Sequence, residues 1–457
     1  MVRGQETIAP IRPATDEVRL SEVVGALSYA LDLVEGQPAG HAARSCVIGM
    51  RIADAIGLPA AARSSLFYAL LLKDAGCSAN ASLMADLFES DDRAVKRDVK
   101  LIDPSKPSEV VAYLYRNAAA GRGRARRSRQ VLRLARSLPA ANQEIFGVRC
   151  ERGADVVRRL ELGEEAAAAV RGLDERWNGT GSPLGVSGEL IPLGGRILSL
   201  AQTVEVFHAA GGVDAALSVA ETRSGSWFDP DLVAALLTLR EDPMWDALSR
   251  SERADELVAD LEPAERIRHA DADRLDRIAE AFATVIDAKS PFTLRHSEGV
   301  ADLAEGIARG MGYAGSALRD LRRAALLHDV GKLAVSNRIL DKPGKLDAAE
   351  WAAMREHPAQ TFAILDRVSA FRPIARVAAS HHERLDGSGY HLGLGADQLP
   401  PAARILAVAD VCEALMAKRP YRDALPVEQV LEIMRRDVPH KLDAAAFAAL
   451  QGHLEAV

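Results

Sequence analysis

The chain repeats itself, and that repetition limits its architecture more than any other feature. GHAARSCVIGMRIADAIGL at 40–58 aligns with RHSEGVADLAEGIARGMGY at 295–313, which sets His41 opposite His296. YALLLKDAGC at 68–77 aligns with RAALLHDVGK at 323–332, and the offset is 255 in both places. Further on, DERWNGTGSPLGVSGELIPLGGRILSLAQ at 174–202 matches HERLDGSGYHLGLGADQLPPAARILAVAD at 382–410 at an offset of 208. The two offsets differ by 255 − 208 = 47, so the first copy carries about 47 extra residues somewhere within 85–150. Matched His, Asp, glycine-rich turn and RIL segments in one order mean two versions of a single module.

Apolar residues recur at helical spacing, as in LSEVVGALSYALDLV, and alanine and leucine are abundant while aromatics make up only 5%. The expectation is an all-α chain of two tandem helical-bundle domains. Residues 1–17 are polar, hold two prolines and read as a flexible tail. The first module spans 18–245, a charged helical linker with a break near Pro263 spans 246–270, and the second module with a C-terminal helix spans 271–457. The N-terminus has no apolar leader-like region and no run of about 18 apolar residues occurs, so a cytoplasmic protein without a membrane span is expected. Four scattered cysteines form no CxxC pair, which argues against a disulfide framework or zinc finger. A net charge of −7 marks no general polyanion binder.

Five of the eleven histidines fall between 296 and 382. In LLHDVGK, His328 and Asp329 end a helix expected over 317–329, with Gly331 as its terminator. Adjacent imidazole and carboxylate can both ligate metal, and the carboxylate has two oxygens with which to bridge two ions. His357 lies in REHPAQT, His381 and His382 precede a glycine-rich turn, and Asp410 sits inside an apolar helix, where an unpaired carboxylate is costly. So many nitrogen donors suit Fe, Mn, Zn or Ni better than Mg alone.

These motifs resemble the HD-GYP family, a branch of the HD phosphohydrolase superfamily. The resemblance covers HS at 296–297, HDVGK at 328–332, EH at 356–357, HHERLDG-GY at 381–390, AD at 409–410 and RPYR at 419–422. It implies two tandem HD-type bundles and hydrolysis of a cyclic dinucleotide, cyclic di-GMP in the usual case, by water activated at metal. His296, His328, Asp329 and Asp410 would bind one ion. Asp329 would bridge to a second held by His357, His381 and His382. Trinuclear relatives carry a Glu where this chain has Phe292, so two divalent ions, Fe or Mn, are expected. Asp329 and Lys332 are the expected catalytic residues; Lys332, Arg419 and Arg422 would bind phosphate oxygens, with Tyr390 near the substrate. The GYP proline is replaced by His391, which motivates a second reading, another cyclic nucleotide such as cyclic GMP-AMP or another phosphoester. A non-hydrolysing nucleotide-binding regulator and an oxygen-activating di-iron enzyme are further alternatives.

The first copy lacks most of these donors. His328 is matched by Lys73, Lys332 by Cys77, His381 and His382 by Leu173 and Asp174, Asp410 by Gln202, and His357 falls near Glu151 within two residues. A pseudo-enzyme module is expected, with Lys73 neutralising Asp74 in place of an ion. Cys77 reads as a buried structural thiol rather than a redox sensor. Seven arginines in GRGRARRSRQVLRLARS at 121–137 have no interleaved aromatics, so a solvated helix is expected rather than a nucleic-acid patch. The two modules either pair within the chain or leave the second free to form a homodimer.

Overall fold

A computed structural model describes residues 18–249, 258, 260–418 and 423–456. Helices dominate. The first half contains α1 (Leu20–Glu35), α2 (His41–Ala55), α3 (Ala60–Leu71), α4 (Ala81–Phe88), α5 (Asp92–Val99), α6 (Pro107–Asn117), α7 (Arg124–Arg159), α8 (Glu164–Arg171), α9 (Leu193–Arg223), α10 (Pro230–Thr238) and α11 (Met244–Ser249). The second contains α12 (Ala272–Asp287), α13 (His296–Gly310), α14 (Gly315–Leu327), α15 (Asn337–Leu340), α16 (Ala348–Arg355), α17 (His357–Leu365), α18 (Arg372–Ala379), α19 (Pro401–Met416), α20 (Val427–Arg435) and α21 (Ala444–Ala456). The expected all-α class holds; the two named strands are two residues each, β1 (Val18–Arg19) and β2 (His269–Ala270), paired antiparallel.

Helix bounds repeat with the sequence. Adding 255 to the bounds of α2 gives those of α13, and adding 208 to those of α8 gives α18. Local hydrogen bonds repeat as well. Asp32 accepts the Ala42 N–H at 3.0 Å, and Asp287, 255 residues on, accepts the Ser297 N–H at 3.1 Å. Glu175 accepts the Leu184 N–H at 2.6 Å, and Glu383, 208 residues on, accepts the Leu392 N–H at 2.7 Å. Desolvated carboxylates of this kind need such donors.

One hydrophobic cluster runs through both halves, from Leu20 and Leu31 through Phe67 and Leu200 to Phe282, Leu327 and Leu406. The halves meet in a roughly reciprocal way: α1 packs on the turn 330–334 and on α17 of the second half, while α12 packs on α7 of the first. The 81–145 region forms a second, smaller core around Phe88, Val95, Tyr113 and Leu134, with Phe88 and Tyr113 edge-to-face at 5.7 Å.

One expectation needs correction. Beyond Pro263 the linker is not helical: a short 3₁₀ turn (Ala264–Arg266) leads into β2, whose backbone groups pair with β1 instead of with a helix ladder. The C-terminal helix α21 packs against α13 and α19 and buries Phe447 and Leu450. The tail 1–17 lies outside the described residues; among the described residues no helix is long and apolar enough to cross a membrane.

Candidate metal centre

The second-half site forms where four helix ends and one helix interior converge. His296 begins α13, His328 and Asp329 follow α14, His357 begins α17, His381 and His382 follow α18, and Asp410 lies within α19. Three rings are fixed by one device. His328 Nδ1 lies 2.7 Å from the Ala325 carbonyl, His357 Nδ1 2.7 Å from that of Met354, and His381 Nδ1 2.6 Å from that of Ala378. A carbonyl can only accept, so Nδ1 carries the proton and Nε2 keeps its lone pair for metal. His296 is held differently: its Nδ1 contacts the Glu413 carboxylate.

The free nitrogens converge on Asp329. His296 Nε2 and His328 Nε2 each lie 3.3 Å from Asp329 Oδ2, and 3.6 Å and 3.7 Å from Asp410 Oδ1. On the other side, His357 Nε2 lies 3.4 Å and His381 Nε2 3.6 Å from Asp329 Oδ1. His382 stands beside this group, its Nδ1 3.9 Å from Asp410 Oδ2. Two three-ligand groups of metal-binding geometry result: His296, His328 and Asp410, and His357, His381 and His382, with Asp329 between them. His296 Nε2, His328 Nε2 and Asp329 Oδ1 are buried without a hydrogen bond, which a polar interior does not tolerate unless something else binds there. The donor set therefore fits two divalent cations.

Electrostatics agree. Burial opposes ionisation of Asp329 and Asp410, yet the surrounding imidazoles, with Lys332 beside Asp329, hold both carboxyls well below the usual range. Burial opposes charge on His328 too, but Asp329 and Asp410 raise it to about 10. Burial lowers His357 to about 4 and pushes His381 and His382 well down, leaving three neutral imidazoles. Cations between the two carboxylates would supply the charge that protons otherwise supply.

Lys332 contacts Asp329 Oδ2 and is partly exposed. Tyr390 stacks on His382 at 4.6 Å between ring centroids, with the Arg355 guanidinium 4.9 Å from its own ring centroid and the half-exposed Trp351 6.2 Å away. Arg419 and Arg422 lie outside the described residues. His391 is exposed at φ 95°, in the left-handed region, where a proline cannot go. The loop around it is pinned by the buried Glu383, which also accepts the Leu394 N–H at 2.9 Å.

Several functional neighbours escaped the sequence reading. Glu413 repeats at the 208 offset as Glu205, which contacts His41 Nδ1, so pairing the copies one turn beyond Asp410 would have found it. Thr361 joins the metal-side elements, accepting the Gly331 N–H at 3.0 Å and donating to the His328 carbonyl at 2.8 Å. Trp351 and Arg355 carried no motif.

In the first half the matching place is filled by cations. Lys73 pairs with Asp74 and lies 3.5 Å from Gln202 Oε1. Lys100 Nζ lies 2.8 Å from Glu35, 3.6 Å from Asp74 and 3.3 Å from Gln202. Arg149 lies 3.5 Å from Asp74 and 3.4 Å from Asp174. Arg149, not Glu151, is the counterpart of His357. A Cβ on Gly76 would meet the Arg149 carbonyl oxygen at 1.8 Å, and one on Gly331 the His357 carbonyl oxygen at 1.9 Å. This close packing, absent from the sequence, sets the register. Cys77 is buried and its thiol is pushed well up by burial, which keeps it from the thiolate form that reacts. The helix matching α19 runs on through α9 with a break at Gly212.

Known proteins fit this geometry. The HD domain family model matches residues 130–232 and 280–446. This chain belongs to the HD domain family. It is 42% identical over 432 residues to the 3′3′-cGAMP-specific phosphodiesterase 3 of Vibrio cholerae, covering 94% of each chain. It is 38% identical over 161 residues to the cyclic di-GMP phosphodiesterase of Thermotoga maritima, covering 34% of this chain and 43% of that one. A crystal structure of a cyclic GMP-AMP-specific phosphodiesterase of Vibrio cholerae superposes with a TM-score of 0.65 at 38% identity, over 97% of this chain and 99% of that one. The HD family member described here is an enzyme, a phosphohydrolase of the HD-GYP type.

Proposed function

We propose that this HD protein hydrolyses a 3′3′-linked cyclic dinucleotide, cyclic GMP-AMP, at a two-ion site in its second half. The observation that carries the reading is Asp329, whose two carboxylate oxygens each face a separate group of imidazoles. His296, His328 and Asp410 would hold one ion, His357, His381 and His382 the other, and Fe or Mn suits this donor set. When bound, such a pair lowers the pKa of water and screens the phosphodiester charge. The chain's own groups do the rest. Backbone carbonyls lock three imidazoles in the tautomer that keeps Nε2 free. Lys332 places an ammonium beside Asp329 for a phosphate oxygen, and Arg419 and Arg422 are proposed to add bidentate donors. Tyr390, stacked on His382, and Trp351 beyond it offer aromatic faces for a purine.

The nucleotide assignment rests on the Vibrio cholerae relative that matches nearly the whole chain. Cyclic di-GMP, the expectation from motifs alone, remains the second substrate, favoured by the Thermotoga maritima relative over the shared segment. The first half is proposed to be non-catalytic, since Lys73, Lys100 and Arg149 stand among its remaining acidic groups. The test is anaerobic loading with manganese or ferrous iron, then chromatography of both cyclic dinucleotides beside an Asp329→Ala control. Linear product from cyclic GMP-AMP with a dead control supports the reading. Metal binding at about two ions per chain without turnover of either substrate overturns it.

A further inference from the structure

The helix α5 belongs to the first half's extra segment, yet its start bonds to the segment leaving the Lys332 turn and its far end reaches the first half's site. At its start, Asp92 is completely buried. Its Oδ1 accepts the Ser336 hydroxyl at 2.9 Å and the Asn337 N–H at 2.9 Å, and its Oδ2 lies 3.8 Å from the buried Lys289 Nζ. The neighbouring Arg93 guanidinium donates to the Ala334 carbonyl. Ala334, Ser336 and Asn337 continue directly from the turn 330–334 that carries Lys332. At the far end, Lys96 donates to the Cys77 carbonyl at 2.6 Å, and Lys100 reaches Glu35, Asp74 and Gln202. Residues 92, 96 and 100 recur every four positions and so share one helix face. Eight residues of helix span roughly 12 Å.

Within the second half, the Lys332 turn is tied at its start by Thr361 through Gly331. Its exit is tied by Asp92 and Arg93. Burying a carboxylate is costly unless it is hydrogen-bonded, and this one directs its bonds at the segment leaving the turn. We propose that Asp92 is a positioning residue for the phosphodiester hydrolysis: it fixes Lys332 beside Asp329 through Ser336 and Asn337, with α5 braced on the first half's cation-filled site. The first half then serves as the mould for the catalytic turn. This inference rests on the hydrolytic reading of the second-half site.

The test is a double-mutant cycle in the full-length, manganese-loaded protein, assayed with bis(p-nitrophenyl) phosphate so that nucleotide preference plays no part. Wild-type inactivity on this ester and on both cyclic dinucleotides would break the hydrolytic reading itself. Given wild-type activity, Asp92→Ala is expected to lower kcat by about tenfold or more in the wild-type background but by less than about twofold beside Lys332→Ala, since coupled residues do not add. Asp92→Asn keeps an acceptor oxygen and is expected to restore most of the rate. An equal loss in both backgrounds, or an unchanged kcat in Asp92→Ala, overturns the inference. Should Asp92→Ala lose its cooperative melting, Ser336→Ala takes its place, with the same non-additivity expected on a loss of about threefold.

Discussion

The two halves are built alike but balance their buried carboxylates differently. In the second, ionised Asp329 and Asp410 face imidazole lone pairs, so the site asks for cations from outside. In the first, Lys73, Lys100 and Arg149 bring the cations covalently attached, and Asp74 and Glu35 are satisfied by them. His41 with Glu205 repeats His296 with Glu413, so this supported histidine is present in both halves although most of the other donors are not. The comparison teaches that one scaffold can balance its buried carboxylates with its own cationic side chains or leave them facing imidazoles that suit a bound cation. Breaking that balance costs stability in one half and activity in the other.

The comparison is most directly tested by removing the matched aspartates. Asp329→Ala is expected to abolish activity, by about a thousandfold or more, and to lower bound metal measured by mass spectrometry. Asp74→Ala is expected to leave bound metal unchanged but to strand buried cations, costing about 3–5 kcal/mol in denaturant unfolding. Metal loss from Asp74→Ala, or none from Asp329→Ala, would break the contrast.

His41 sharpens it through pH. Burial, resisted by Glu205, lowers this imidazole to about 4 from its ordinary value of 6.5. The folded-state pKa lies below the unfolded one, so the unfolded chain takes up the proton first. Stability should be flat above pH 6.5 and fall as pH drops towards 4. The loss is roughly 3 kcal/mol. Urea unfolding of His41→Asn beside the wild type should show this extra loss only in the wild type; parallel curves would remove His41 as the cause.

The smallest expected effect lies at the rim of the second site. Trp351→Ala should raise KM for the cyclic dinucleotide by about threefold to tenfold, the low end of base stacking on an aromatic. The kcat and the bound metal should stay near wild type. An unchanged KM would take Trp351 out of the substrate's path.

Much of this was legible in the chain itself. Residues in the helix-end motifs, from His296 to Asp410, were all named as ligands because such donors are seldom placed together for packing alone, and the structure brings them to one point. The copy register was readable wherever helices carry matching strings. At His357 it was good only to within two residues of Glu151, and the closeness of Gly76 to the Arg149 carbonyl picks Arg149 within that range. Lys100 was invisible: it comes from the extra segment, which has no copy to align with. The linker after Pro263 read as helix from its charge pattern, but a partner strand won its backbone hydrogen bonds.

The sequence by itself therefore determined the helices, the repeat and the set of candidate donors, because these depend on local periodicity and on residue chemistry. Only the tertiary structure decided that cations fill the first site, that both halves share one core, and that α5 links the first site to the segment leaving the Lys332 turn. Those outcomes depend on which distant groups become neighbours once water is excluded, and buried charge must then find its partner wherever the fold has placed it.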